Sequence, residues 1–220
     1  MNKDNWLSGK TVTILGDSYS TFAGCVPEGN ELYYPNDGIP DVKTVRDTWW
    51  RLLLDRTGMR LIMNDSYSGA TVCTSVRPEH PISAAFVHRM KTALPRNGIR
   101  GEKPDVILLF GGTNDSWMEI PLGETQYDGW TDRDLKKALP AFCYMLHYVT
   151  AENPQARTFV LINTEMQPDY VLGIREACAH FGISSVPLHE IDKMWGHPTR
   201  LGMRQIADQA QAAIEKEMKE

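Results

Sequence analysis

The sequence predicts an α/β fold in which helices cover both faces of a parallel five-stranded sheet. Short apolar runs rich in β-branched residues alternate along the chain with longer segments whose apolar residues recur at helical spacing. This alternation is typical of a parallel sheet, because each crossover between parallel strands needs a long connection, usually a helix. The run at 106–110 is apolar throughout, as expected of a central strand buried on both faces. We therefore expect a three-layer α/β/α sandwich with flavodoxin-like strand order.

Five strands and five helices are expected in alternation. The strands are predicted at 11–15, 61–63, 106–110, 158–162 and 183–188. The helices are predicted at 44–58, 81–94, 132–153, 168–181 and from 199 onward. Two irregular segments, 20–43 and 116–130, are predicted as loops over the mouth of a crevice, where functional residues concentrate.

Local signals set the ends and faces of these helices. Gly58 is expected to end the first helix and Thr199 to cap the last one. Pro140 predicts a kink or a restart in the long third helix. Trp49 lies on the apolar stripe of the first helix and is expected in the core, whereas Trp50 lies off that stripe and is open to either role.

Composition bounds the class of protein. The chain has 220 residues, 42% of them hydrophobic, with no internal repeat, low-complexity tract or linker, so we expect one domain over residues 1–220. The net charge of −5 argues against nucleic acid or an anionic membrane as partner, and no apolar run is long enough to span a membrane. Four cysteines without a C-x-x-C pair are expected as free thiols.

The N-terminal stretch, MNKDNWLSGK, lacks the apolar core of a signal peptide. The chain as it reads is therefore expected in the cytoplasm, and a leader trimmed ahead of it would instead allow export.

Ser18 stands where the first strand ends, directly after Gly16-Asp17. Open α/β sheets bind their ligands at the carboxyl ends of their strands, so a serine here is a candidate nucleophile. Two alternatives stay open on these residues alone. Gly-Asp-Ser is a common turn, and Ser18, Ser20 and Thr21 could cradle the phosphate of a flavin.

Three further residues fall on the same side of the predicted sheet. Gly69 and Asn114 follow the second and third strands, and His197 lies in the loop before the last helix. Acyl transfer needs a hydroxyl nucleophile, an imidazole base and hydrogen-bond donors for a tetrahedral oxyanion. Together with Ser18, these residues supply each of those parts.

Four sequence blocks, in this order, resemble those of the SGNH hydrolase superfamily, also called GDSL-type esterases and lipases. The blocks are Gly16-Asp17-Ser18, the surroundings of Gly69, Gly112-Thr113-Asn114-Asp115 and His197-Pro198. Tyr19 replaces the leucine that gave the GDSL name. Four ordered blocks are much more specific than any one of them.

The resemblance implies a role for each matching residue. Ser18 would be the nucleophile and His197 the general base, then acid. The oxyanion hole would consist of the Ser18 and Gly69 N–H groups and the Asn114 amide. Asp17 and Asp115 would hold the loops.

One position departs from the family pattern. The family usually places an aspartate three residues before the histidine, where this chain has Met194, and Asp192 lies five residues before it. Asp192 could still reach His197 and complete a triad, or it could be a solvated loop carboxylate. In a third arrangement a backbone carbonyl orients the imidazole in a dyad. We prefer Asp192, since no other acidic residue in this loop lies nearer to His197.

The expected substrate is an ester with a small acyl group, preferably an O-acetyl group on a carbohydrate. Five loop aromatics could stack on a sugar or could simply fill local packing: Tyr33, Tyr34, Trp117, Trp130 and Trp195. The alternatives are a lysophospholipase, a thioesterase, a non-catalytic carbohydrate-binding relative and a flavin-binding protein. The remaining histidines show no zinc spacing such as H-E-x-x-H, so neither a metal nor a cofactor is expected.

Overall fold

The fold is a parallel five-stranded sheet between two layers of helices, seen in a computed structural model that describes residues 6–219. The strands are β1 (Thr11–Gly16), β2 (Arg60–Ser66), β3 (Val106–Phe110), β4 (Arg157–Ile162) and β5 (Ser184–Pro187). Their spatial order is β2-β1-β3-β4-β5, all parallel. This is the flavodoxin-like order, and the predicted fold class is confirmed.

Six helices are present among residues 6–219. They are α1 (Trp49–Thr57), α2 (Phe86–Ala93), α3 (Thr113–Trp117), α4 (Ala138–Glu152), α5 (Pro168–His180) and α6 (Arg200–Glu217). The apolar faces of α2, α4 and α5 form one core with one face of the sheet, and those of α1 and α6 form a second core with the other. Each core excludes water from one face of the sheet, which explains why β3 is apolar on both sides.

Several end signals act as the sequence predicts. Gly58 ends α1 in the left-handed region, with φ of 69°, and the Thr199 side chain accepts the Gly202 N–H to cap α6. Pro140 lies in the first turn of α4, where it has no helical N–H to lose, so it marks a start instead of a kink. Trp49 and Trp50 are both buried.

Two elements near the crevice differ from expectation. The loop predicted at 116–130 is preceded by α3, a five-residue helix too short to give a periodic signal. The loop before α6 contains a hairpin of two two-residue strands, β6 (Lys193–Met194) and β7 (His197–Pro198), paired antiparallel.

Between residues 6 and 219, none of the helices combines the length and apolar character that a membrane crossing requires. The expectation about a leader rests partly on residues 1–5, which lie outside the described residues.

Candidate active site

The carboxyl edge of the sheet brings Ser18 and His197 together, although 179 positions separate them in the chain. Ser18 Oγ lies 3.0 Å from His197 Nε2. Both side chains line a cavity of about 460 Å³, together with Asn114 and Gly69. A volume of this order is typical of a small-molecule site.

The turn that carries Ser18 is held by buried hydrogen bonds. The Asp17 carboxylate accepts the Tyr19 N–H at 3.1 Å and so caps the short 3-10 helix Ser18–Ser20. The Ser20 carbonyl accepts two side-chain donors, Trp50 Nε1 at 3.0 Å and Asn64 Nδ2 at 2.9 Å. These bonds fix the backbone on both sides of the serine.

A buried arginine ties this turn to the neighbouring strand and helix. Arg89, on α2, donates to the Gly16 carbonyl at 2.9 Å and forms an ion pair with Asp65 at 2.9 Å, and both side chains are only 6% exposed. The absence of a side chain at Gly16 lets Ser66 of β2 pack closely against this turn, because a Cβ on Gly16 would lie 2.5 Å from Ser66 Oγ. Arg89 was not predicted as a site residue, since a single arginine in a short, weakly periodic helix gives no sequence signal that it is buried.

Three donors are available for an oxyanion near Ser18 Oγ. Among residues 6–219, neither the Ser18 N–H nor the Gly69 N–H has a hydrogen-bond acceptor. Asn114 Nδ2 donates one hydrogen to the Ala70 carbonyl at 3.0 Å, which leaves its second hydrogen free. The Asp115 carboxylate holds the same loop by accepting the N–H groups of residues 72 and 73 at 2.7 and 3.1 Å.

His197 is oriented by a backbone carbonyl. In the two-residue turn of the β6–β7 hairpin, Trp195 and Gly196 have φ of 52° and 77°, as in a type I′ turn. This turn places the Trp195 carbonyl oxygen 3.2 Å from His197 Nδ1. A carbonyl can only accept, so Nδ1 carries the proton and the lone pair of Nε2 faces the Ser18 hydroxyl.

Asp192 does not reach the imidazole, and the preference for it as the partner of His197 is wrong for this structure. Its carboxylate accepts the Thr199 hydroxyl, and its N–H donates to Gln205 Oε1 at 2.7 Å. The hairpin turn intervenes and presents its own carbonyl to Nδ1 instead. The geometry is that of the dyad, the third arrangement considered above.

The surroundings of His197 favour a neutral ring. Burial lowers the pKa of His197 to about 4, opposed by the bond to the Trp195 carbonyl and reinforced by the cation of Lys193. Lys193 Nζ donates to Thr164 Oγ1 at 2.5 Å and pairs with Glu165 at 3.2 Å, which anchors the hairpin to the loop after β4. Lys193 had no sequence signal, because its partner Glu165 lies 28 positions away in the chain.

The five predicted aromatics have different positions. Tyr33 stacks on the His197 ring, with centroids 3.5 Å apart and planes 8° apart, and Trp117 lines the cavity. Tyr34 is fully buried and donates to the Pro198 carbonyl at 2.7 Å, so it is a packing residue and the expectation of substrate contact is wrong. The Trp195 side chain is 82% exposed and does not line the cavity; only its carbonyl takes part in the site. Trp130 packs on Tyr144, away from the site.

Comparison with known proteins agrees with the sequence blocks and this geometry. The model of the GDSL-like lipase/acylhydrolase family matches residues 10–214. The chain belongs to this family. Membership of the SGNH hydrolase superfamily, predicted from the four blocks, is confirmed, and the protein is a hydrolase that acts on ester bonds.

Solved structures extend the comparison. A protein of Bacteroides uniformis ATCC 8492, assigned to the GDSL-like lipases, is 41% identical with a TM-score of 0.86, and the match covers 94% of this chain and 96% of that one. A protein of Bacteroides ovatus ATCC 8483 with the same assignment is 37% identical with a TM-score of 0.87, covering 95% and 99%.

A more distant structure shares the fold alone. It is a family two carbohydrate esterase from Clostridium thermocellum in complex with cellohexaose, at 15% identity and a TM-score of 0.63, covering 96% of this chain and 65% of that one. No curated protein matches the chain significantly.

Proposed function

We propose that this acylhydrolase is a serine esterase that removes small acyl groups, preferably O-acetyl groups from a carbohydrate, through a Ser18–His197 dyad. The observation that carries the proposal is the 3.0 Å contact between Ser18 Oγ and His197 Nε2, beside three unused hydrogen-bond donors. A nucleophile within reach of an oriented base is the arrangement that acyl transfer requires.

Acylation begins when Ser18 Oγ attacks the ester carbonyl and its proton passes to His197 Nε2. The carbonyl oxygen becomes an oxyanion that the N–H groups of Ser18 and Gly69 and the Asn114 amide stabilise. The imidazolium keeps its Nδ1–H bond to the Trp195 carbonyl. As the tetrahedral intermediate collapses, the ester C–O bond breaks, Nε2 returns the proton to the departing alcohol, and the acyl group stays on Ser18.

Deacylation repeats these steps with water. His197 Nε2 takes a proton from water as the water oxygen attacks the acyl carbonyl, and the same three donors stabilise the second oxyanion. The bond to Ser18 Oγ then breaks, the serine recovers its proton from Nε2, and the carboxylic acid leaves. The balance is one water consumed per ester cleaved.

The lining of the cavity supports a small polar substrate. None of the side chains that line it is aliphatic, whereas a lysophospholipase needs an apolar surface for its acyl chain. Tyr33, Tyr67 and Trp117 offer aromatic faces, which pack well against the C–H faces of a sugar. The carbohydrate esterases that share the fold support the same preference.

Covalent labelling tests the nucleophile directly. A fluorophosphonate should phosphonylate Ser18 Oγ with loss of fluoride. Mass spectrometry should locate the adduct on that residue and find none on Ser18→Ala. An adduct elsewhere, or wild-type hydrolysis of an aryl acetate by Ser18→Ala, would refute the mechanism.

A substrate panel tests the specificity. Acetylated methyl glycosides should be cleaved with higher kcat/KM than lysophosphatidylcholine or a long-chain acyl thioester. The opposite ranking would favour the lysophospholipase or thioesterase alternative.

A further inference from the structure

One wall of the cavity is formed by the chain segment that follows the Gly69 loop. This wall carries side chains that the proposed chemistry does not use. Arg77 and His80 line the cavity together with Ser18 and His197. Both side chains are half-buried, and they belong to the irregular segment between the Gly69 loop and α2. No sequence motif pointed to either residue.

The Arg77 guanidinium lacks the partners that a cation in such a place usually has. Its Nε atom is buried and has no hydrogen-bond acceptor, and within residues 6–219 no carboxylate oxygen lies within 4.0 Å of the group. The two terminal nitrogen atoms of the guanidinium are not among the buried unsatisfied atoms, and among residues 6–219 neither has a hydrogen-bond acceptor, so they are the donors that a ligand in the cavity could engage.

His80 joins this wall to the oxyanion loop. Its ring meets Tyr67 edge to face at 5.3 Å, and a Cβ on Gly69 would lie 2.4 Å from His80 Cε1. The buried Nδ1 of His80 also has no hydrogen-bond partner. His80 therefore packs against the loop that contains Gly69, and its backbone N–H donates to the Arg77 carbonyl at 2.9 Å, which fixes Arg77 beside that loop.

Two carboxylates also line the cavity, and their exposure bears on the charge of the ligand that the cavity would bind. Glu31 and Glu79 are both exposed, and neither pairs with Arg77. Exposed charges are screened by water and salt, whereas the half-buried Arg77 is screened less. Arg77 is therefore the least screened of the three charged side chains that line the cavity.

We propose that Arg77 binds an anionic group, a carboxylate or a phosphate, on the alcohol portion of the ester. The inference rests on the proposed function. A small acyl group occupies only the space between Ser18 and the oxyanion donors, so the alcohol portion fills the rest of the cavity and reaches Arg77. A planar guanidinium matches either anion with two parallel hydrogen bonds.

The test compares substrates that differ only in charge. Methyl O-acetyl-glucuronoside and the corresponding 6-phosphate ester should be hydrolysed with kcat/KM about 10- to 100-fold above that of neutral methyl O-acetyl-glucoside, the worth of a hydrogen-bonded charge pair. A preference for the glucuronoside identifies the group as a carboxylate, and a preference for the 6-phosphate identifies it as a phosphate. Equal rates on all three substrates would overturn the inference.

Variants assign the preference to Arg77. Arg77→Gln should lower kcat/KM on the charged substrates about 10- to 100-fold more than on the neutral one, so that the preference is lost. The control, Arg204→Gln, removes an exposed cation of α6 that does not line the cavity and should keep the preference. If Arg77→Gln retains the preference, Arg77 is not the anion ligand.

This result is separable from the proposed function. Cleavage of an aryl acetate and labelling of Ser18 report on the esterase alone, since neither probe carries an anionic sugar. Loss of both would refute the esterase, whereas normal labelling with no charge preference would refute only the anion subsite.

Discussion

Ser18 and His197 meet at 3.0 Å, but the protein holds the two residues in different ways. The backbone around Ser18 receives hydrogen bonds from the buried side chains of Arg89, Trp50 and Asn64. His197 instead depends on a two-residue turn whose Trp195 side chain is 82% exposed. The position of Ser18 is thus tied to the stability of the core, whereas that of His197 is set by a local element at the surface.

The difference follows from where each residue lies in the chain. Ser18 directly follows β1, which pairs with strands on both sides, so its position is inherited from the sheet. His197 belongs to a connection that the Tyr19 hydroxyl, Tyr34 and Lys193 hold against the sheet edge. Mutations should therefore separate global stability from the geometry of the base.

Arg89→Met should produce the largest effect, on the nucleophile side. It leaves Asp65 buried and unpaired and removes a donor from the Gly16 carbonyl, so the free energy of unfolding should fall by about 3–5 kcal/mol. Urea unfolding measures this loss. The matched control, Arg96→Met, breaks the exposed ion pair with Glu152 and should leave the free energy of unfolding close to that of wild type. Equal losses in the two variants would contradict the coupling of Ser18 to the core.

Asn114→Ala should affect chemistry more than stability. Loss of one preorganised oxyanion donor lowers kcat by about 10²- to 10³-fold, and KM should change little because the donor acts once charge develops. Steady-state kinetics on an aryl acetate give both constants. Asn153→Ala removes another buried amide, which donates to the Leu94 carbonyl at the opposite end of the fold, and should leave kcat unchanged. An unchanged kcat in Asn114→Ala would remove this amide from the oxyanion hole.

The pH dependence should reveal the unusual environment of the base. Because the pKa of His197 is about 4, the neutral ring that accepts the serine proton persists in mild acid, and kcat/KM should fall to half near pH 4. An ordinary histidine would give a midpoint near about 6.5. Lys193→Met removes a neighbouring cation and should move the midpoint upward. A wild-type midpoint near neutrality would contradict the burial of the ring.

Tyr19→Phe should disturb the position of His197 and lower kcat by a smaller factor. The Tyr19 hydroxyl donates to the Gly196 carbonyl in the hairpin turn, and a single hydrogen bond of this kind contributes about 0.5–1.5 kcal/mol. We expect kcat to fall by up to about tenfold with KM unchanged. Tyr148→Phe, on α4 and outside the cavity lining, is the control and should match wild type. A larger loss in the control than in Tyr19→Phe would contradict a role in positioning His197.

The contrast between Ser18 and His197 also explains which features of the protein could be predicted from the sequence. The strands, the sheet order and the residues that follow the strand ends were predictable, because periodicity and parallel topology fix which ends share an edge. Ser18, Gly69 and Asn114 lie next to strands and were found in this way. Arg89 was missed because burial of a charge depends on a partner 24 positions away.

The surroundings of His197 were harder to predict, because the position of its ring depends on two turn residues, Trp195 and Gly196, in the left-handed region. Trp195 adopts φ of 52°, which a tryptophan rarely does, so the hairpin turn had no strong sequence signal. Without that turn, proximity in sequence favoured Asp192 as the partner of His197. The prediction for Tyr34 was wrong for a related reason. Nothing in the sequence indicates that the ring of this loop tyrosine is buried against the β6–β7 hairpin.

Asp192→Asn should give the smallest effect and decides between triad and dyad. The carboxylate accepts the Thr199 hydroxyl, and an asparagine oxygen can accept the same bond, so the geometry around His197 should persist. A carboxylate on Nδ1 would stabilise the imidazolium, and its loss in such triads costs as much as ~10⁴-fold in kcat. Here the Trp195 carbonyl fills that position, and kcat should stay within about threefold of wild type, with an unchanged midpoint in the pH–rate profile. A tenfold or greater loss, or a lower midpoint, would mean that Asp192 reaches the imidazole during turnover.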